Sequence, residues 1–288
     1  MAGPRNVAER WFVRAFSAPG ASRLAGRLAD ARLPGPLLRA AMRAYIRAYR
    51  VDMSEVAEPL SAHSTFNAFF TRRLRPGARP VSTEPGVAVA PCDSRVVSIG
   101  SVPEDGRIEQ VKGRTYTLAA LLGSEEDARA FARGVHATLY LSPSMYHRVH
   151  SPVDGLIRAW RYLPGRLFPV NTLAIRHVEG LFTLNERVSI LIDAPEVGPV
   201  AVVMVGAANV GRMSLSFAPL LTNTGARAGE FRADPVIPFA RGAELGAFNL
   251  GSTVVLLVAD PTLEPAGVSA GQLVRMGQPL WRRPKGAS

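Results

Sequence analysis

Ser252 lies in the string Leu250-Gly251-Ser252-Thr253, directly before the apolar run Val254-Val255-Leu256-Leu257-Val258. A serine hydroxyl beside a glycine carbonyl, at the mouth of a buried strand, can attack its own backbone. Glycine offers the least crowded carbonyl and tolerates strained dihedrals, and the β-branched Thr253 stiffens the other side. Gly-Ser recurs at Gly100-Ser101 and Gly123-Ser124, so the dipeptide alone is not diagnostic. On spacing alone, the first reading is a turn leading into a strand.

His147-Arg148-Val149-His150 follows the strand-like Tyr140-Leu141 and the turn-like Ser142-Pro143. Two imidazoles three residues apart suit general acid–base chemistry, because histidine titrates near neutral pH. For either one alone, a hydrogen-bonded structural role is the simpler reading. A metal site with Asp154 as third ligand is the alternative. His63, His136 and His177 are too scattered to complete zinc spacing, so no metal is assigned. Asp93, in Pro91-Cys92-Asp93-Ser94, reads alone as a turn residue bonding its own backbone. Its interest comes from company: a serine, a histidine and an aspartate together form the usual recipe for activating a hydroxyl, and the chain holds Asp93, His150 and Ser252. Cys92 is the only cysteine. It reads as a buried thiol, since nothing nearby would lower its pKa, and a lone cysteine excludes an intrachain disulfide framework and suits a reducing compartment. No phosphate-cradling glycine loop and no dinucleotide fingerprint occurs, which argues against kinases and dehydrogenases.

These residues need strands to hold them. Ser94–Ser98, Ala137–Leu141, Gly155–Leu163, Arg187–Asp193, Val200–Val205 and Thr253–Val258 are apolar or β-branched and bounded by Gly, Pro, Asn or Asp. Residues 6–50 read as two or three short helices broken at Pro19-Gly20 and Pro34-Gly35-Pro36. A short helix is expected over 64–75, with Ser64 or Thr65 as N-cap and Phe66, Phe69 and Phe70 turned inward. Another opens at Ser124 and runs to Arg133. The expected fold class is α+β: a mainly antiparallel sheet domain over 61–288, preceded by basic amphipathic helices over 1–60.

Of the net charge of +11, a surplus of eight falls within residues 1–50, where ten arginines face only Glu9 and Asp30. Arg39, Arg43 and Arg47 recur every four residues on one face of a helix, with Leu38, Met42, Tyr45, Ile46 and Tyr49 around it. Such a segment suits an anionic bilayer surface; the plainer reading is a helix packed on the domain with its arginines in water. The rest of the chain is near neutral, which argues against a nucleic-acid binder. No apolar run reaches spanning length, and the first residues lack the apolar core and small-residue cleavage site of a signal peptide.

Several strings resemble the phosphatidylserine decarboxylase family in order. They are Phe66-Asn67-Ala68-Phe69-Phe70-Thr71-Arg72 with Arg75-Pro76-Gly77-Ala78-Arg79-Pro80; Tyr146-His147-Arg148-Val149-His150-Ser151-Pro152-Val153-Asp154-Gly155; Pro164-Gly165-Arg166-Leu167-Phe168-Pro169-Val170-Asn171; Asn185-Glu186-Arg187-Val188; Val205-Gly206-Ala207-Ala208-Asn209-Val210-Gly211; and Leu250-Gly251-Ser252-Thr253. This chain departs from the family at Ser94, where a glycine is common, at Ser144-Met145, where a charge is frequent, and at Arg166, where an acid is common. The resemblance implies a proenzyme in which Asp93 and His150 activate Ser252. Its hydroxyl attacks the Gly251 carbonyl, and the chain separates into a β subunit, 1–251, and an α subunit, 252–288. Ser252 becomes a pyruvoyl group, a covalent cofactor that takes the electron-sink role of pyridoxal phosphate. His147 would handle the proton at the decarboxylated carbon. The implied reaction converts phosphatidylserine to phosphatidylethanolamine and CO2 as a carboxy-lyase. The implied setting is peripheral, on the cytoplasmic side of the cytoplasmic membrane, with a homodimer left open. Three rivals stand beside it: a serine hydrolase built on Ser252, His150 and Asp93, a membrane-associated homologue that does not cleave, and a pyruvoyl decarboxylase of a soluble amino acid.

Overall fold

The run Ser252–Val258 forms a strand buried along its whole length, because both faces carry apolar side chains and both edges are paired. The computed structural model describes residues 26–111, 113–170, 172–207, 212–249 and 252–284. Sequence expectations on residues 1–25, 208–211 and 250–251 lie outside them. The described strands are β1 (Val87–Val89), β2 (Ser94–Ser101), β3 (Arg107–Val111), β4 (Arg114–Thr117), β5 (Val135–Leu141), β6 (Arg148–His150), β7 (Gly155–Leu163) and β8 (Arg187–Ala194). They continue as β9 (Gly198–Gly206), β10 (Met213–Leu215), β11 (Gly229–Phe239), β12 (Glu244–Phe248), β13 (Ser252–Val258), β14 (Glu264–Pro265), β15 (Leu273–Val274) and β16 (Pro279–Arg282).

Eight of them form one antiparallel sheet in the order β11-β7-β8-β9-β13-β5-β2-β15. Two small sheets, β1-β16-β14 and β10-β12-β6, cover one of its faces. The hairpin β3-β4 and the short helices Leu118–Leu122, Glu125–Ala130, Thr172–His177 and Leu181–Leu184 cover the other. The alternation of side chains along a strand explains the two cores. Val254, Leu256 and Val258 join Val149, Phe248, Leu280 and Trp281 on the first face. Val255 and Leu257 join Ile108, Phe131, Leu181 and Phe182 on the second. The same alternation puts Ser252 on the first face, toward β6 and β12. The α+β class and its antiparallel sheet are as the sequence led one to expect.

The chain N-terminal to the sheets holds helix α1 (Gly35–Tyr49) and helix α2 (Phe66–Phe70). Leu38 and Met42 of α1 are buried against Phe69, while Arg43 and Arg47 are exposed and Arg39 is half-buried. Helix α2 is shorter than the expected 64–75. Thr65 caps it by accepting from Ala68 N, but after Phe70 the chain turns out to a bridge between Leu74 and Val56. Ser124 caps its helix as expected, accepting from Asp127 N at 3.1 Å. Asp127 itself is buried and pairs with Arg158 and Arg161. Strand β11 had no sequence signal of its own. It is an exposed edge strand containing Pro235 and Pro238, and an edge is where proline costs no ladder hydrogen bond.

Candidate active site

β13 starts at Ser252, which pairs with Leu141 of β5 on one side and Gly206 of β9 on the other. Ser252 is 1% exposed, and its Oγ has no hydrogen-bond partner among the described residues. The chain just upstream is also held. Phe248 N donates to His147 O at 2.9 Å and Asn249 N to Arg212 O at 3.0 Å. The Asn249 side chain accepts from Asn67 Nδ2 at 3.1 Å. Fixed backbone thus flanks the Gly251-Ser252 bond on both sides.

His147 is fully buried beneath Phe70, their ring centroids 4.1 Å apart. Its Nδ1 lies 2.8 Å from Met145 O. A carbonyl can only accept, so Nδ1 carries the proton and Nε2 carries the lone pair. That Nε2 is buried and unpartnered. His150, on β6, has the same tautomer for the same reason: its Nδ1 donates to Gly242 O at 2.8 Å. Its Nε2 accepts from the Tyr146 hydroxyl at 3.1 Å. Burial pushes Tyr146 up to about 12, so it remains a donor. Gly242 can present its carbonyl because its φ is +80°, and a Cβ there would meet Val81 at 2.7 Å. At Gly246 a Cβ would strike Ser214 O at 2.2 Å, so β12 approaches β10 only with glycine there. Arg148 locks β6 to β12 through two 2.7 Å bonds to Glu244.

Asp93 opens the turn into β2 and is buried. Its carboxylate accepts from Arg79 Nε at 2.8 Å, Arg79 Nη2 at 2.6 Å and Met276 N at 2.9 Å. Arg79 also holds Glu55 at 2.8 Å. His150 N donates to Pro91 O at 2.7 Å, which fastens the histidine strand to the Asp93 turn. The described hydrogen bonds therefore join neither Asp93 to His150 nor His150 to Ser252: the first two have separate partners and the Ser252 hydroxyl has none. Burial lowers His150 most; the Gly242 hydrogen bond, then the Glu244 charge and, least, the Asp93 charge favour its protonated form. Asp154, the alternative metal ligand, is exposed and accepts from Arg241 N. Among the described residues no group of three His, Cys, Asp or Glu could hold a metal ion. The Cys92 thiol is buried and pushed up by that burial.

The sequence did not single out Arg72, Arg79, Tyr146, Gly242 or Asn67. All but Gly242 lie inside the family-like strings, which was the available signal. Arg72 is buried and donates to Ser144 O and Met145 O, so it fixes the loop that carries the histidines. Tyr45 of α1 grips the same loop through Pro143 O at 2.7 Å. Both departures near the site are harmless to the backbone. Ser94 is in extended strand and needs no glycine, and Ser144 and Met145 contribute carbonyls that any residue would supply.

Burial is the largest cause lowering His63, His136, His147 and His150, with His136 pushed to about 4 and His147 to about 3. His136 and His147 thus remain neutral well into acid. In the unfolded chain they protonate as pH falls through their ordinary value of 6.5. Below that pH the unfolded state binds more protons, so acidification destabilises the fold, by up to about 1.4 kcal/mol per pH unit for each histidine. The loss continues for each until its folded value is reached. Urea midpoints should fall from pH 7.5 to pH 5, and His136→Leu should make that fall shallower. A pH profile identical in the variant would contradict the assignment.

A sequence model of the family described as phosphatidylserine decarboxylase matches residues 66–282. The phosphatidylserine decarboxylase proenzyme of Anaeromyxobacter sp. (strain K) is 45% identical over 268 residues, covering 90% of this chain and 92% of that one. The chain belongs to the phosphatidylserine decarboxylase family. The proenzyme of Marinobacter nauticus is 43% identical over 241 residues, covering 82% and 84% of the two chains. That of Bordetella pertussis is 45% identical over 267 residues, covering 90% and 89%. The family match spans Asn67, Arg72, Arg79, Asp93, the histidine pair and Ser252, while Tyr45 and Glu55, which brace the site, lie before it. Among the described residues no helix is long and apolar enough to cross a membrane.

Proposed function

We propose that this family member is a proenzyme that cleaves itself between Gly251 and Ser252 and, once matured, decarboxylates phosphatidylserine to phosphatidylethanolamine. The observation that carries the reading is Ser252 itself: a buried, unpartnered hydroxyl at the first residue of a central strand. A serine hydrolase must offer its hydroxyl to an incoming substrate. A serine 1% exposed between two strands is better placed to attack its own chain.

Neutral His150, its Nδ1 held by Gly242 O, takes the Ser252 proton through Nε2 once Tyr146 rotates away. Oγ attacks the Gly251 carbonyl, the peptide C–N bond breaks and an ester forms. Loss of the Ser252 α-proton then eliminates the ester, leaving Gly251 as a carboxylate and residue 252 as dehydroalanine. Water replaces its nitrogen and releases ammonia. The buried site suits the resulting pyruvoyl group, since the Ser252 hydroxyl has no hydrogen bond to lose when it is consumed. Once formed, a pyruvoyl group at position 252 would supply an electron sink for loss of the substrate carboxylate as CO2. His147, neutral and with a free Nε2, is positioned to hold the proton delivered to the decarboxylated carbon. Release of CO2 from carboxyl-labelled phosphatidylserine, blocked by hydroxylamine, tests this. Release that is insensitive to carbonyl reagents, or no release by a cleaved protein, would sink it.

The membrane setting rests on residues 26–50. Leu28 is 63% exposed and Leu37 56% exposed, and Arg43 and Arg47 of α1 are exposed as well. Each basic residue near an anionic surface contributes on the order of 1 kcal/mol, and the leucines add apolar insertion. Asp30 links this segment to the site by bonds with Arg212 and Asn67. Arg39→Gln/Arg43→Gln/Arg47→Gln should weaken binding to anionic vesicles by roughly a hundredfold and flatten its salt dependence. Equal binding of wild type to neutral and anionic vesicles in cosedimentation would show that α1 only packs on the domain.

A further inference from the structure

The second face of the large sheet holds a cavity of about 630 Å³ that none of the chemistry above uses. Its floor is Ser98, His136 and Tyr140, and its roof is Val170, Ile175 and the hairpin residue Val111. His136 is 8% exposed and its Nδ1 has no partner. Arg95, Arg176 and Glu109 form an exposed rim. The volume lies within the range of pockets that enclose small molecules, about 300–1,000 Å³. The lining is largely apolar, with two cations and one anion at the mouth, which fits an apolar chain attached to a phosphate.

Two further contacts fix its place. Tyr140 stands directly across β5 and β13 from Thr253, the residue after Ser252. Tyr140 is also within electrostatic reach of Tyr45 and Tyr49 at the end of α1, and Tyr45 bonds the loop after β5. Tyr140 thus brings one end of the cavity beside the α1 tyrosines and the residue after Ser252, on the sheet face opposite the Ser252 hydroxyl. We propose that the cavity receives an acyl chain of the phospholipid substrate, with the phosphate facing Arg95 and Arg176. This rests on the function proposed above and names the lipid part of its substrate site.

Ser98→Phe and Val111→Phe fill the cavity from its floor and its roof, and circular dichroism checks that each variant folds. The expected result is that kcat/KM for dioleoyl phosphatidylserine, divided by that for glycerophosphoserine, falls at least about tenfold, as for lost apolar contacts in a pocket. An unchanged ratio overturns the proposal. A second measurement needs no catalysis. In the full chain carrying Ser252→Ala and Glu109→Trp, phosphatidylserine brominated on its acyl chains, in detergent micelles, should quench the new rim tryptophan. Adding Ser98→Phe should abolish that quenching. Quenching that is absent, or indifferent to Ser98→Phe, overturns the cavity assignment even in an active decarboxylase. Quenching lost with Ser98→Phe, in a protein that neither cleaves nor decarboxylates, retains the cavity and removes the proposed function.

Discussion

Ser252→Ala is expected to remain a single full-length chain on denaturing gels at every pH and incubation time. Removal of a nucleophile in a serine-based site costs a factor on the order of 10⁶, beyond the reach of any practical incubation. The variant should nonetheless fold well. Its lost hydroxyl is buried and unpartnered, so the substitution removes an unsatisfied polar group and should stabilise the precursor by about 1–3 kcal/mol. His150→Ala should slow cleavage more than His147→Ala does, while His147→Ala should still damage decarboxylation. Cleavage of Ser252→Ala at the wild-type rate would place the chemistry on another residue.

Arg79→Met should lower the melting temperature by about 10 °C. The Arg79 and Asp93 side chains are 8% and 10% exposed, and breaking a buried pair strands a charge at a cost of about 3–5 kcal/mol. For a chain of this size each kcal/mol corresponds to roughly 2–4 °C. Maturation should slow as well, because Arg79 aims the carboxylate whose field reaches His150. The double variant Arg79→Met/Asp93→Leu removes both charges and should recover most of the stability but not the cleavage. An Arg79→Met melting curve matching wild type would show that solvent, and not Arg79, satisfies Asp93.

Much of this was legible in the sequence, for physical reasons that differ from element to element. The central strands announced themselves because strands buried on both faces are apolar throughout. Thr253–Val258 was read to within one residue of the strand Ser252–Val258. β11 was not, because an exposed edge strand with prolines carries neither periodicity nor apolar bias. The chemistry-bearing residues Ser252, His147, His150 and Asp93 stood out by type. Their partners did not. Nothing in sequence spacing says that Arg79 holds Asp93, that Tyr146 covers His150 Nε2, or that a Gly242 carbonyl fixes the tautomer, because each contact depends on how loops and strand ends turn, and the Gly242 one joins residues 92 positions apart. The arginine row on α1 was legible as a pattern, whereas the exposure of Leu28 and Leu37 emerges only once the fold shows what leaves them uncovered.

Intact-mass spectrometry of the purified, incubated protein tests the central claim most directly. The account predicts two species, residues 1–251 and a fragment beginning at position 252. The small fragment should carry a pyruvoyl group in place of serine, resist N-terminal sequencing and gain mass with a hydrazine reagent. One full-length mass, unchanged on long incubation with anionic vesicles, would contradict it.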